Sequence, residues 1–243
     1  MKNLYLCGKF QITTITMKKH LFGALTLIAV LAVAGCGNQN QNKKAEEPVK
    51  EERMLIIVDP QIDFTTGSLA TAKGPEAMDR LALAIDNGAL DNYTWVIVTQ
   101  DAHPANHCSF VDNGGVFPPH CVEGTEGMNV YPALEKALLD SHYGNYHYMT
   151  KGDLADREEF SIFQNAHCGE KLTKTITEDV TFVGIDVCGI ATDYCVYETV
   201  KDLMAIYPAN QIRVVTNCLA AVDDNDTKLA DLMAENGIEG IEF

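Results

Sequence analysis

The sequence predicts an α/β protein: a three-layer α/β/α sandwich around a six-stranded, mainly parallel sheet of Rossmann-like form. Three observations carry this. Six short runs rich in β-branched residues recur from residue 54 to the C-terminus. The strongest of them, LIIV, WVIV and IRVV, are apolar throughout instead of alternating, as strands covered on both faces are. Helical patterns lie between the runs, and strand–helix alternation implies right-handed crossovers.

In order, residues 54–58 form the first expected strand, which runs into Asp59. After Pro75, Ala77, Leu81, Ala82, Ile85 and Ala89 recur at helical spacing on one face. Residues 95–99 and 146–150 are the second and third strands, leading into Asp101 and Lys151. The fourth, 180–185, precedes a segment ending in Cys195, which opens a helix whose inner face is Val196, Val200, Leu203 and Met204. Thr192 or Asp193 is available there as the N-cap. Residues 212–216 and 238–243 complete the six, and no internal repeat is visible.

The domain is expected to span 54–243. Residues 1–36 read differently: from Met17 the chain has a basic start, an apolar stretch over 21–34 short of the ~20 residues of a membrane span, and a small-residue junction before Cys36. That pattern is an export signal with Met17 as the expected true start, and Val33-Ala34-Gly35-Cys36 resembles a bacterial lipoprotein processing box. Cys36 would then be the lipidated first residue of an exported, membrane-anchored chain on the periplasmic or cell-surface face; an uncleaved anchor is the alternative. Residues 37–53 are polar without periodicity and read as a flexible tether.

The net charge is −16, and Lys2, Lys9, Lys18 and Lys19 precede Cys36, leaving 14 basic against 34 acidic residues beyond it. Such a surface repels phosphate backbones, so nucleic acid is excluded as a partner and membrane attachment falls to the lipid. A homo-oligomer is compatible with the composition. Of eight cysteines, Cys7 and Cys36 belong to the leader. Cys108, Cys121, Cys168, Cys188 and Cys218 are irregularly spaced and are read as small apolar residues, with disulfides among them left open.

Parallel strands bring their carboxyl ends to one edge of a sheet, so Asp59, Asp101, Lys151 and Cys195 can converge although far apart in sequence. Singly, each has a plainer reading: a turn cap, a solvated charge or buried filler. Together they suggest chemistry. A cysteine at a helix start beside a lysine favours the thiolate, and a carboxylate can take its proton. Asp101-Ala102-His103 puts two side chains on one side of an extended segment, and His120 would complete three metal ligands; surface hydrogen bonding is the alternative for both histidines.

Five motifs carry a resemblance over essentially all of 54–243: VDPQIDF (58–64), TQDAHPANH (99–107), FPPHCVEGTEG (117–127), KG with EEFSIF (151–163) and GIATDYC (189–195). They resemble the nicotinamidases (pyrazinamidases) of the isochorismatase-like cysteine hydrolases. The resemblance implies the isochorismatase-like fold and a catalytic triad of Asp59, Lys151 and Cys195. It implies an oxyanion hole from the amides of Ala191 and Cys195, with a cis peptide between Ile190 and Ala191. A divalent metal is implied on Asp101, His103 and His120, zinc with iron or manganese as alternatives; His107 is a fourth ligand in some relatives and a support in others. Phe64, Phe117 and Phe160 match residues that sandwich the pyridine ring, although core packing is the plain reading of any one of them. The implied reaction is hydrolysis of nicotinamide, with pyrazinamide as an analogue, to nicotinate and ammonia in pyridine-nucleotide salvage. The alternatives are another small-amide or carbamoyl amidohydrolase of the superfamily, or a non-enzymatic pyridine-binding lipoprotein. The chain departs from the usual pattern in its export signal, since such enzymes are ordinarily cytoplasmic. It also has Phe117 where tryptophan is frequent and Ile162 where a small residue is common.

Overall fold

A computed structural model describes residues 51–243 except 142 and 145. The expected export signal and all but the end of the tether lie outside the described residues. Among those described, no helix is long and apolar enough to cross a membrane.

Six strands form one sheet in the order β3-β2-β1-β4-β5-β6. They are β1 (Glu52–Val58), β2 (Trp95–Asp101), β3 (Tyr146–Lys151), β4 (Phe182–Ile190), β5 (Ile212–Ala220) and β6 (Glu239–Ile241). Every neighbouring pair is parallel, so the sheet is wholly rather than mainly parallel. The helices are a short α1 (Ile62–Thr65), then α2 (Gly74–Asp86), α3 (Pro132–Asp140), α4 (Cys168–Lys174), α5 (Tyr197–Met204) and α6 (Lys228–Asn236).

Alternation along β1 sorts the layers. Leu55 and Ile57 face a core shared with Met78 and Leu81 of α2 and Leu134 and Leu138 of α3. Met54, Ile56 and Val58 face the opposite core, with Leu172 of α4, Val200 and Leu203 of α5 and Leu229 of α6. Since successive strand side chains point to opposite faces, only an all-apolar run serves both layers.

The expected strands are all present, with displaced bounds. β1 begins at Glu52, two residues inside the expected tether, because Arg53 reaches across to Asp186 on β4. Strands β2 and β3 extend one or two residues into the polar positions at their ends, and β4 runs on to Ile190. Hydrogen-bonded ladder continues there because those polar side chains are themselves buried and paired. The chain order reverses between β1 and β4, and at such a switch point the carboxyl ends of the strands open a crevice.

Candidate active site

Asp59, at the end of β1, takes a positive φ of 44°, a left-handed conformation uncommon outside glycine. Thr99 of β2 holds it there: the Thr99 hydroxyl accepts from the Asp59 amide at 3.1 Å and donates to Oδ1 at 2.7 Å. Asp101 and Lys151 are register partners at the ends of β2 and β3. Lys151 Nζ lies 2.9 Å from Asp59 Oδ2 and 2.5 Å from Asp101 Oδ1. It also donates to the Glu159 carbonyl at 3.1 Å and approaches Cys195 Sγ at 3.6 Å. Asp59 and Lys151 are wholly buried, and Cys195 nearly so. The reactive atoms of Asp59, Asp101 and Cys195 all lie within 4.8 Å of one another.

One ammonium thus serves two buried carboxylates and a thiol. Burial pushes Asp59 upward despite Lys151. It acts the same way on Asp101, but there Lys151 and His103 prevail and hold the carboxyl well below its usual range. Burial opposes the charge on Lys151, yet its two carboxylate partners raise its pKa well above normal. The Cys195 thiol is pushed up by burial more than Lys151 lowers it. Burial thus works against the thiolate that Lys151 favours, and Asp59 stands beside the sulfur as a base that can take its proton, as the sequence suggested. The expected N-cap is corrected. Cys195 sits in a wide π-helical turn, Thr192–Val196, that precedes α5 and has no side-chain cap. The Asp193 carboxylate instead accepts from the amides of Val222 and Asp223, both at 2.9 Å. The Ile190–Ala191 peptide is cis, as the resemblance implied.

Asp101, His103 and His120 offer donor atoms within 4.8 Å of one another. His103 Nδ1 is 2.8 Å from the Gly152 carbonyl, and His120 Nδ1 is 2.8 Å from the Pro118 carbonyl. A carbonyl can only accept, so each ring carries its proton on Nδ1 and presents the Nε2 lone pair. His103 Nε2 is buried without a hydrogen-bond partner, 3.6 Å from Asp101 Oδ2. Burial lowers His103, but Asp101 outweighs it and raises the pKa, so this carboxylate favours positive charge at Nε2. His120 is lowered by burial, which keeps it neutral as a ligand must be. An orphaned imidazole nitrogen, a second oriented imidazole and a carboxylate fit a divalent cation. His107 stacks on His103 with ring centroids 4.0 Å apart, while its Nδ1 and Nε2 are engaged by Ser109 and the Arg157 carbonyl. It buttresses His103 in this arrangement.

Above the thiol lies a cavity of about 410 Å³ when the open solvent at its mouth is counted. Phe64, Phe117 and Phe160 all line it, together with Asp101, His120, Ala191 and Cys195. Tyr194, missed in the sequence, completes the aromatic wall, with ring centroids 5.9 Å from Phe117 and 5.7 Å from Phe160. Its signal was adjacency to Cys195 in a turn. Gln61 was missed too: its side chain donates to the Asp101 carbonyl and accepts from the Asp101 amide, both at 2.8 Å, fixing the end of β2. Glu159, fully buried, accepts from the Gly152 amide at 2.9 Å. Gly152 has φ +66°, and a Cβ there would collide with the His103 ring. Of the remaining cysteines, Cys108, Cys121, Cys188 and Cys218 are free thiols.

A buried Cys–Asp–Lys centre at a parallel-sheet switch point, under an aromatic pocket with a metal-ligand set in its side, defines a cysteine-dependent hydrolase. The isochorismatase domain model matches residues 53–238. The chain is 32% identical over 182 residues to a nicotinamidase/pyrazinamidase of Mycobacterium tuberculosis, covering 73% of this chain and 91% of that one. Among solved structures, PnC1 of L. infantum in complex with nicotinate is 30% identical, with a TM-score of 0.66 over 79% of this chain and 92% of the other. The pyrazinamidase of Pyrococcus horikoshii in complex with zinc is 25% identical, with a TM-score of 0.65 over 79% and 99%. The chain belongs to the isochorismatase family.

Proposed function

We propose that the protein is a nicotinamidase, hydrolysing nicotinamide to nicotinate and ammonia through a thioester on Cys195, and that it accepts pyrazinamide by the same route. The observation that carries this is the placement of Cys195 beside Asp59 and Lys151 at the floor of an aromatic cavity whose side holds Asp101, His103 and His120. The names of the relatives support the same substrate class.

The pyridine ring lies between Phe64, Phe117, Phe160 and Tyr194, where aromatic faces bind a flat ring by stacking and edge contacts. A divalent cation on Asp101, His103 and His120, zinc with iron or manganese as alternatives, would supply a Lewis-acid contact for the ring nitrogen. Asp59 takes the thiol proton as Cys195 Sγ attacks the carboxamide carbon. Burial raises the pKa of Asp59, and the ammonium of Lys151 opposes that rise and favours the ionised carboxylate for that step. The amides of Ala191 and Cys195 hold the oxyanion of the tetrahedral intermediate. The C–N bond then breaks, the leaving nitrogen takes the proton from Asp59, and ammonia departs. Water gives a proton to the same carboxylate and attacks the thioester carbon. The C–S bond breaks, nicotinate leaves, and the proton returns to sulfur.

The test is ammonia and nicotinate release from nicotinamide by the full chain, beside Cys195→Ala and after treatment with a chelator. Release lost in both controls is expected; a metal-loaded chain that releases neither product overturns the assignment. We also propose that the enzyme acts outside the cytoplasm on a lipid anchor at Cys36. Fatty-acid labelling of the chain, lost in Cys36→Ser, is the expected result, and an unlabelled chain overturns it.

A further inference from the structure

The turn that carries the nucleophile also holds a segment the reaction does not use. After β5, residues 221–227 cross to α6, and Val222 within them lines the active-site cavity although 53% exposed. This segment has little packing of its own to fix it. Asp193, only 4% exposed and two residues before Cys195, spends both carboxylate oxygens on it, accepting from the amides of Val222 and Asp223. Its other end is tied to the same turn: Lys228 Nζ donates to the Asp193 carbonyl at 2.9 Å and stands 5.3 Å from the centre of the Tyr194 ring. A third tie, 2.9 Å between Asp224 and Lys73, joins it to the start of α2.

We propose that residues 221–227 are the substrate-selecting wall of the pocket, with Val222 the side chain that limits ring substituents and Asp193 the positioning residue that latches the wall to the nucleophile turn. This rests on the nicotinamidase assignment and narrows its substrate class to pyridine carboxamides whose ring edge clears Val222. A half-exposed valine on a cavity wall offers apolar surface that a bound ring would cover, whereas Phe64, Phe117 and Phe160 already pack, tilted or edge-on, against His120 or Tyr194. The ties to Asp193 are backbone amides, so the wall depends on the carboxylate and not on the side chains of the acidic segment. Buried carboxylates that accept two amides fix a loop more tightly than packing of one exposed valine does.

The experiment compares kcat and KM for nicotinamide and for its ring-methylated isomers, one methyl at each free carbon, in the full chain. Val222→Gly should raise kcat/KM for at least one isomer, relative to nicotinamide, by about tenfold or more, the range one methyl-sized contact commands. Val222→Phe should move the same isomer the opposite way. Asp193→Ala should raise KM for nicotinamide with kcat within about threefold, and shift isomer preference in the direction of Val222→Gly. Asp193→Asn, which keeps one acceptor oxygen, should fall between. Leu139→Ser, on an exposed face of α3, serves as the control with unchanged preference. Wild-type hydrolysis of nicotinamide with isomer preference unmoved in both Val222 variants overturns the proposal while leaving the nicotinamidase assignment standing. Loss of kcat in Asp193→Asn with preference unmoved overturns the latch. No hydrolysis of nicotinamide by the wild type instead removes the assignment on which both rest.

Discussion

Replacing Lys151 by methionine keeps nearly the same side-chain length and removes the one cation shared by three buried acids. At the 2.9 Å separation of Nζ and Asp59 Oδ2, two unit charges in a medium of effective dielectric about 20 attract by roughly 6 kcal/mol, equivalent to at most about four pKa units. Burial and the negative charge of Asp101 already push Asp59 upward. Without Lys151 only the hydrogen bond from Thr99 still opposes them, so Asp59 stays protonated to higher pH and is a poorer acceptor of the thiol proton. The acid limb of kcat/KM for nicotinamide should therefore move up by at least about one unit, and the rate at neutral pH should fall by roughly 10²-fold or more, as loss of a general base does. Thermal melts of both proteins, followed by circular dichroism, separate this from unfolding. A folded Lys151→Met enzyme whose acid limb is unmoved and whose rate is within tenfold of wild type would refute the shared-cation argument.

Four further outcomes follow from other contacts. His103→Ala and His120→Ala should each lower the stoichiometry of divalent metal retained after gel filtration, read by elemental analysis. Retention equal to wild type would place the metal elsewhere. Gly152→Ala should act on the same measurement, because its Cβ would displace the His103 ring; intact metal content would show that the strand end can give. Asp186, wholly buried, accepts two bonds from Arg213 at 2.8 and 2.6 Å and one from Tyr93 at 2.6 Å. Asp186→Ala strands these donors and should cost about 3–5 kcal/mol, lowering Tm on the order of 10 °C, and a shift under about 3 °C would contradict that. Burial raises Glu159, but the Gly152 amide, Asn165 and Arg157 outweigh it and hold its pKa below normal. A depressed carboxylate contributes stability above its unfolded pKa, about 4.3, that is lost as pH falls through the folded value. The Tm gap between wild type and Glu159→Gln should thus be full above pH ~5 and close below pH ~4, and a gap independent of pH would refute it.

The sheet was legible because burial on both faces leaves a direct mark: strands such as β1 and β2 must be apolar at every position, and such runs have few other uses. The residues of the site were legible as a group, because Asp59, Asp101 and Lys151 each end a strand, and parallel strands share one carboxyl edge. Their partners were not. Gln61 and Thr99 act by one or two hydrogen bonds to a neighbouring strand end, and no periodicity marks a residue whose role is to fix another's backbone. Asp186 escaped notice for a similar reason. It interrupts an otherwise apolar β4, and only the pairing of β4 with β5 reveals that Arg213 lies beside it. The N-cap expectation for Asp193 failed because a carboxylate near a helix start can satisfy amides of any chain within reach, and here both its oxygens accept from the amides of Val222 and Asp223 in the β5–α6 segment.

The protonation state of Cys195 shows how the parts depend on one another. A thiol at a helix start beside a lysine reads as a thiolate, yet the same burial that gives the pocket its apolar walls disfavours the charged sulfur. Lys151 cannot offset this, since its charge is already divided between Asp59 and Asp101. The centre therefore needs a base at the sulfur at the moment of attack, and Asp59, whose pKa burial raises and whose carboxylate lies within 4.8 Å of the sulfur, is the group suited to take that proton. Asp101, held ionised on the far side of the ammonium, is left to face the imidazoles. One lysine between two acids thus divides them by task, one moving a proton and the other holding a cation.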